Sequence, residues 1–134
     1  MALEKEYVRT LFANLAQGRQ AEFFAYVADD VDWTVMGTHP LAGHYTSRED
    51  FVTATFGRLN PRLKEGVVLV VRNVLVDGDQ AVVELDALST QNNGRPFANQ
   101  YCWVCRFDGD QIVEVRAFLD SALVRETIEG NDGP

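Results

Sequence analysis

The sequence predicts an α+β domain in which helices come first and a curved antiparallel sheet follows. Between Glu4 and Ala16, apolar residues recur at helical spacing, and two further helices are expected before Leu59. After Gly66 the pattern changes to four β-rich runs, separated by DGDQ, QNNGRP and a second DGDQ. Asp-Gly and Asn-Gly pairs between such runs are typical of hairpins. Helices followed by consecutive hairpin strands favour helices packed on one face of the sheet.

Each element can be placed from its local signals. The first helix should end near Gly18, and Ser47, three residues before Asp50, resembles a helix N-cap. The expected order is a helix over Glu4–Ala16, a helix over Gln20–Val27, a strand over Val31–Met36, a helix from Ser47 to about Leu59, four strands, and a helix over Ser121–Ile128.

Composition limits the class of protein and its partners. A chain of 134 residues with 46% hydrophobic residues fits a single domain, which we place at 1–128 with a flexible tail at 129–134. A formal net charge of −8 repels phosphate backbones and anionic lipid, so we expect neither nucleic acid nor a membrane as a partner. The N-terminal stretch lacks a signal-peptide pattern and no apolar run is long enough to span a bilayer, which predicts a cytoplasmic location.

The two cysteines, Cys102 and Cys105, form a C-x-x-C within an apparent strand. Side chains three residues apart on a strand lie on opposite faces. We therefore expect two unrelated buried thiols rather than a redox pair. A zinc site would need a second pair of ligands.

Two strands carry candidate site residues. On the third long strand one face holds Asn99, Tyr101 and Trp103, which suits an apolar pocket with a few orienting polar groups or, alternatively, an ordinary core face. On the preceding strand Glu84 and Asp86 share a face. They are an acid/base pair if that face lines a pocket, and carry no meaning if it is solvated.

Both histidines of the chain lie in MGTHPLAGHY, a loop with proline and glycine. His39 and His44 are five residues apart and off the helical spacing of a metal pair, so we predict no metal site. A water-facing position at the rim of a pocket is one interpretation. The other is that one of them, His44 before His39, enters the pocket as a proton-transfer group.

Three stretches carry a family resemblance: the helical front, ADDVDWTVMGTHPLAGHYTSREDF, and NQYCWVCRFDGDQIVEVRAFLDSALV. Together they resemble the SnoaL-like branch of the nuclear transport factor 2-like superfamily, which includes ketosteroid isomerases, polyketide cyclases and limonene epoxide hydrolase. The resemblance implies a cone-shaped fold in which a bent sheet and N-terminal helices enclose a pocket. It also implies a homodimer formed through the outer face of the sheet.

The resemblance also says which reactions are disfavoured. The positions that match the Arg, Asp and Asp of the epoxide hydrolase are Glu84, Asp86 and Ala117, so only the middle one is kept. The acid of the polyketide cyclases also falls near Ala117. The base and the two oxyanion donors of ketosteroid isomerase correspond to Thr34, Leu11 and Trp103, and none is kept. The mechanisms of the epoxide hydrolase and of ketosteroid isomerase therefore do not transfer to this chain, and Ala117 also weakens the transfer of the cyclase mechanism.

The sequence leaves two functions open. One is an enzyme performing acid/base chemistry of isomerase, cyclase or hydrolase type, without a cofactor, on a small hydrophobic oxygenated molecule. The other is a non-catalytic binding or dimeric scaffold domain. The predicted catalytic residues are Asp86 and His44, and the predicted pocket residues are Trp33, Glu84, Asn99, Tyr101, Trp103 and Ala117. This assignment leaves Val83, Leu85 and Ala87 on the outer face, where with Phe118 they would form the dimer contact.

Overall fold

Five α-helices and eight strands follow one another along residues 3–131, the part of the chain that this computed structural model describes. The helices are α1 (Lys5–Ala16), α2 (Gln20–Phe24), α3 (Arg48–Ala54), α4 (Phe56–Leu59) and α5 (Ser121–Gly130). The strands are β1 (Val27–Val35), β2 (Gly43–Tyr45), β3 (Leu69–Asp77), β4 (Gln80–Ala87), β5 (Ser89–Thr90), β6 (Pro96–Phe97), β7 (Gln100–Asp108) and β8 (Gln111–Leu119). The predicted α+β class is confirmed.

The front helices pack through one apolar face, as their spacing predicts. Helix α1 buries Val8, Leu11, Phe12 and Leu15. Helix α2 is shorter than predicted, because Val27 already belongs to β1, which begins four residues earlier than expected.

The predicted third helix is interrupted at Thr55. The Ser47 side chain accepts a hydrogen bond from the Asp50 N–H at 3.1 Å, so the predicted N-cap is confirmed. Thr55 has φ −116° and ψ −81°, which is not helical, and its hydroxyl donates to the Phe51 carbonyl at 2.7 Å. The break divides the segment into α3 and α4, and it leaves both Phe51 and Phe56 buried.

Six strands form one curved sheet in the order β2-β1-β8-β7-β4-β3. The predicted antiparallel meander is confirmed in the pairs β3–β4, β4–β7 and β7–β8. The sequence did not predict that β1 pairs in parallel with β8, or that Gly43–Tyr45 forms an edge strand antiparallel to β1. Strands β5 and β6 pair with each other outside this sheet.

Helix α5 begins after Asp120, whose carboxylate accepts from the Leu123 N–H at 3.2 Å. It extends through Glu129 and Gly130, two residues that the sequence analysis assigned to the tail. Residues 132–134, the end of that predicted tail, lie outside the described residues.

The two cysteines are free and lie on opposite faces of β7. Cys105 is fully buried, and burial raises the pKa of its thiol, with a smaller contribution from Cys102. Cys102 is only half-buried on the outer face, so the prediction of two buried thiols holds for Cys105 alone.

Candidate functional site

A narrow apolar cavity lies between the helices and one face of the sheet, which we call the cavity face. It holds about 430 Å³ of empty space, part of it open to solvent, and about 40 Å³ of this can be reached by the centre of a water molecule. Its walls are contributed by Trp33, Val35, His39, Leu41, Phe51, Thr55, Phe56, Leu59, Val67, Leu69, Tyr101, Trp103, Ala117, Leu119 and Val124. The wall therefore contains residues from helices α3, α4 and α5 and from strands β1, β3, β7 and β8.

Strand register explains why the cavity lies where it does. Ala117 pairs with Val35 on β1 and with Trp103 on β7, so a small side chain stands beside a large one on the cavity face. Leu85, paired with Tyr101, continues this face onto β4. The methyl group of Ala117 leaves space that a larger side chain would fill.

Aromatic rings dominate the wall. Trp33 stacks on Phe51 with ring centroids 3.8 Å apart and planes at 19°. Trp33 and Trp103 meet nearly at right angles, 81°, with centroids 5.2 Å apart, and Tyr101 contacts Trp103 edge-on at 6.2 Å. Such contacts fix the orientation of each ring more tightly than burial alone.

The two indole N–H groups have no hydrogen-bond acceptor. Trp33 is 0% exposed and Trp103 is 3% exposed, and Nε1 of each lacks a partner. Most buried polar groups in folded proteins are paired. Two unpaired donors at the wall of one cavity are therefore a feature that requires explanation.

Tyr101 contributes a buried phenol to the site. Burial raises the pKa of its phenol, and a hydrogen bond with the Asn99 side chain opposes this only in part, so Tyr101 stays protonated near neutral pH. Asn99 itself is 1% exposed and is held at both ends by Asp120: its amide donates to the Asp120 carbonyl at 3.3 Å and its carbonyl accepts from the Asp120 N–H at 3.0 Å. Asn99 positions Tyr101 and is absent from the cavity wall.

His39 is the histidine that reaches the cavity. Its Nδ1 accepts from the Leu41 N–H at 3.2 Å, and its Nε2 lies 2.9 Å from the Met36 carbonyl, to which it donates. These contacts assign a neutral ring protonated at Nε2. Burial lowers the pKa of His39, the Met36 carbonyl opposes this, and Arg125 adds to the lowering. Both nitrogens are thus engaged by the backbone.

His44 does not enter the cavity, which corrects the expectation that it would do so before His39. It lies on edge strand β2, opposite Thr34, and its Nε2 pairs with the Asp32 carboxylate. Both partners are more than half exposed. Because His44 and Asp32 belong to paired strands at the outer edge, the imidazole is satisfied at the surface.

Glu84 and Asp86 lie on the outer face of the sheet, so their predicted placement in the pocket is wrong. Asp86 accepts from Arg72 Nε at 3.3 Å, Glu84 lies 3.9 Å from the same guanidinium, and Glu84 also accepts from the Asn73 amide at 3.0 Å. Both carboxylates keep 35% of their side-chain surface exposed.

The opposite row of β4 faces the core. Val83, Leu85 and Ala87 are at most 1% exposed, and the first two pair with Trp103 and Tyr101. The prediction that this row covers the outer face is therefore wrong. Burying the apolar row and leaving two carboxylates in water costs far less than the reverse. The predicted acid role of Asp86 required its carboxylate to face the pocket, so the structure does not support that role.

The structure brings four of the predicted pocket residues together at one cavity: Trp33, Tyr101, Trp103 and Ala117. Sequence analysis missed Phe51 and Thr55, and it ranked His39 behind His44. For Phe51 and Thr55 a signal exists, since residues four apart share a helix face. For His39 there is none, because a loop has no period.

Among residues 3–131, no three His, Cys, Asp or Glu side chains come together as a metal site would need. None of the helices in that range combines the length and apolar character required to cross a bilayer.

The family model described as SnoaL-like domain matches residues 8–115, most of the chain. This chain belongs to the SnoaL-like family. The match includes the strands that carry Trp33, Tyr101 and Trp103. It ends before Ala117 and helix α5, so the SnoaL-like model leaves out one side of the cavity wall.

Two curated relatives extend over nearly the whole SnoaL-like chain. The "Dimerizing cyclase phiC" of a fungus (Fungal sp. strain ATCC 74256) is 31% identical over 134 residues, and the "Dimerizing cyclase tstC" of Talaromyces stipitatus is 29% identical. Each alignment covers 97% of this chain and 59% of the relative. The chain therefore spans about three fifths of the length of these relatives.

A solved structure shows the same fold. An NTF2-like protein from Burkholderia thailandensis E264 superposes with a TM-score of 0.77 at 26% identity, over 92% of this chain and 95% of the other. This likeness confirms the expected NTF2-like architecture for the SnoaL-like chain.

Proposed function

We propose that the chain binds a small apolar, oxygen-bearing molecule in its cavity and promotes an isomerisation or cyclisation of that molecule without a cofactor. The observation that carries this proposal is the cavity itself, which is lined by aromatic and aliphatic side chains and has few polar ones. Such a lining binds and orients an apolar substrate. The names of the curated relatives support the cyclase side of the proposal.

Tyr101 is the proposed hydrogen-bond donor of this chemistry. Its phenol is buried and protonated, so it can stabilise negative charge that develops on a substrate oxygen. His39 is proposed to shape the wall rather than to move protons, because the backbone engages both of its nitrogens. Glu84, Asp86 and His44 have no part in the proposal.

A pair of variants tests whether the cavity is the working site. Ala117→Leu adds three carbons to the cavity wall, whereas Arg116→Leu places the same side chain on the exposed outer face one residue away. A panel of cyclic and aromatic ketones is screened by tryptophan fluorescence for binding and by mass spectrometry with chromatography for conversion. Ala117→Leu should lose both, and Arg116→Leu should keep both. Equal behaviour of the two variants would contradict the proposal.

A second function is favoured by a specific observation. Along the cavity wall of residues 3–131 there is no carboxylate, and the imidazole at that wall has no free nitrogen. A domain that binds the same class of molecule without converting it fits this arrangement. Binding that is lost in Ala117→Leu, with no conversion of any bound ketone by the wild type, would favour this alternative.

For assembly we propose a homodimer that forms through the outer face of the sheet. Leu75 and Phe118 are 56% and 44% exposed there, and half-buried Val82 and Val104 lie on the same face between their strands. Ion pairs such as Arg106–Glu114 lie on the same face. A second copy would cover these apolar groups with a matching surface.

A further inference from the structure

His39 forms a thin part of the cavity wall. Its side chain lines the apolar cavity and also a surface cleft beside helix α5, whose walls include Thr38, Ser121 and Arg125. Among residues 3–131, His39 is the one residue that the linings of the cavity and of this cleft share, and it is 5% exposed. A single imidazole ring therefore separates the cavity from the cleft at this point.

The cavity must open before a molecule of the proposed kind can enter it. In the form seen here it has room for only a few water molecules. A ring compound with an oxygen-bearing group is larger than that, so part of the wall has to move. Two other surface clefts, one beside Tyr7 and one beside Phe24, share no wall residue with the cavity. The cleft beside α5 is therefore the candidate entrance.

The loop that carries His39 has no regular secondary structure. It covers residues 36–42, between β1 and β2. Two hydrogen bonds hold the imidazole, which donates to the Met36 carbonyl at 2.9 Å and accepts from the Leu41 N–H at 3.2 Å. Both partners belong to the same loop, so a shift of the loop can displace the ring without separating two strands or unwinding a helix.

Arg125 holds the tip of this loop against helix α5. Its guanidinium donates to the carbonyl of Thr38, the residue before His39. The second half of the loop is held separately, by side chains of β2 and α4. The Arg125 side chain is 51% exposed and lies 3.7 Å from Glu129, a partner that it can keep when it releases Thr38. The contact that closes the loop tip is therefore a single hydrogen bond at the surface.

We propose that His39 is the gate of the cavity and that Arg125 is its latch. A ligand enters from the cleft when the contact between Arg125 and Thr38 opens and the imidazole leaves the wall. The inference rests on the proposed function of the cavity and adds the route by which its ligand enters and leaves. Neither residue takes part in a chemical step.

The two indole N–H groups report gate opening without any ligand. Both tryptophans line the cavity, and Nε1 of each is buried and has no hydrogen-bond partner. Exchange of these hydrogens with solvent deuterium therefore requires only that water reaches them. In ¹⁵N-labelled protein, Arg125→Met and His39→Ala should each speed exchange of at least one indole hydrogen about two- to tenfold, the range of one net hydrogen bond.

Matched variants separate gate opening from a general loss of stability. Arg95→Met removes an exposed ion pair with Glu126 on the same helix, and His44→Ala removes the other imidazole, at the edge of the sheet. Both should leave indole exchange unchanged. The backbone amides of β7 are an internal control. Their exchange should rise less in Arg125→Met than indole exchange does, because β7 stays paired when the gate opens.

Binding kinetics test the route itself. The probe is acetophenone, followed by stopped-flow tryptophan fluorescence. Arg125→Met should raise the association and dissociation rate constants by the same factor, about two- to tenfold, and leave the dissociation constant unchanged. A latch changes how often the cavity opens and not what the ligand contacts inside it. A changed dissociation constant with an unchanged association rate constant would make Arg125 a binding residue and overturn the latch.

The outcomes keep the two proposals apart. Indole exchange in Arg125→Met that equals the wild type, or that rises only as much as amide exchange, would overturn the gate and leave the proposed function standing. Faster indole exchange in a protein that does not bind acetophenone would support the gate and count against the proposed ligand class. Arg125→Met changes an exposed side chain, so it decides the question even if His39→Ala does not fold.

Discussion

Val83 lies directly opposite Trp103 in the β4–β7 pair, and both side chains are on the cavity face of the sheet. This single register decides the side of every other residue on β4, because strand side chains alternate. It places Leu85 in the core and Asp86 beside Arg72 on the outer face.

The adjacent residues Leu85 and Asp86 should respond in opposite ways to truncation. Leu85→Ala should lower the free energy of unfolding by about 2–5 kcal/mol, since it removes a fully buried side chain. Asp86→Ala should lower it by less than about 1 kcal/mol, because the pair with Arg72 is partly solvated. Urea unfolding of both variants measures this. A loss of unfolding free energy for Asp86→Ala as large as that for Leu85→Ala would indicate that the Asp86 carboxylate is buried in the pocket.

Acidification should destabilise the chain through His39. Burial lowers the pKa of His39, with the Met36 carbonyl opposing and Arg125 assisting, so the unfolded chain takes up this proton at a higher pH, near 6.5. The contribution is fully present above about pH 6.5 and is lost as the pH falls through the folded pKa. Urea unfolding between about pH 7.5 and pH 5.5 should show the loss in wild type and in the exposed-site control His44→Gln, but not in His39→Gln. Parallel curves for wild type and His39→Gln would refute the prediction.

Strong alkali should act on Tyr101. Burial raises the pKa of its phenol, so the unfolded chain ionises first, near pH 10, and stability falls as the pH rises beyond that point. In an ultraviolet pH titration, Tyr101→Phe should lack the most alkaline phenolate step of the wild type. An unchanged final step would mean that Tyr101 is accessible to solvent.

Gly37 should tolerate no side chain. It has φ +108°, and a Cβ there would collide with Ser121 Oγ. Gly37→Ala should cost at least about 2 kcal/mol by thermal or urea unfolding. Gly78→Ala, at φ +63° with open space around it, should cost about 1 kcal/mol. Ser121→Gly should recover part of the Gly37→Ala loss, and no recovery would locate the strain in the backbone alone.

Sedimentation should give twice the 15.0 kDa of one chain at micromolar concentration if the outer face pairs. Phe118→Asp should shift the equilibrium to the monomer, because it places a charge on the exposed apolar part of that face. Tyr26→Asp, at an exposed residue beside Tyr7, is the control and should leave the mass unchanged. A wild-type mass of one chain contradicts the dimer.

The sequence predicted the elements well where a period exists. The alternation on β7 correctly placed Asn99, Tyr101 and Trp103 on the buried face. On β4 the alternation is correct, but the match to other enzymes predicts the wrong face, because that match takes no account of the cost of burying carboxylates. His39 could not be distinguished from His44, since only the turn after Met36 and the register of β2 decide which ring is buried.

The parallel pairing of β1 with β8 has a consequence for the order of assembly. Residues 27–35 are made before residues 111–119, yet apart from the three-residue strand β2 those later residues are their partner in the sheet. Contacts between such distant segments slow folding, because a long loop must close before they form. Ala117 and Leu119 emerge last among the sheet residues of the wall. A nascent chain therefore leaves this edge of β1 without its β8 partner until residues 111–119 have been made, and chaperones or proteases can reach that edge during this interval.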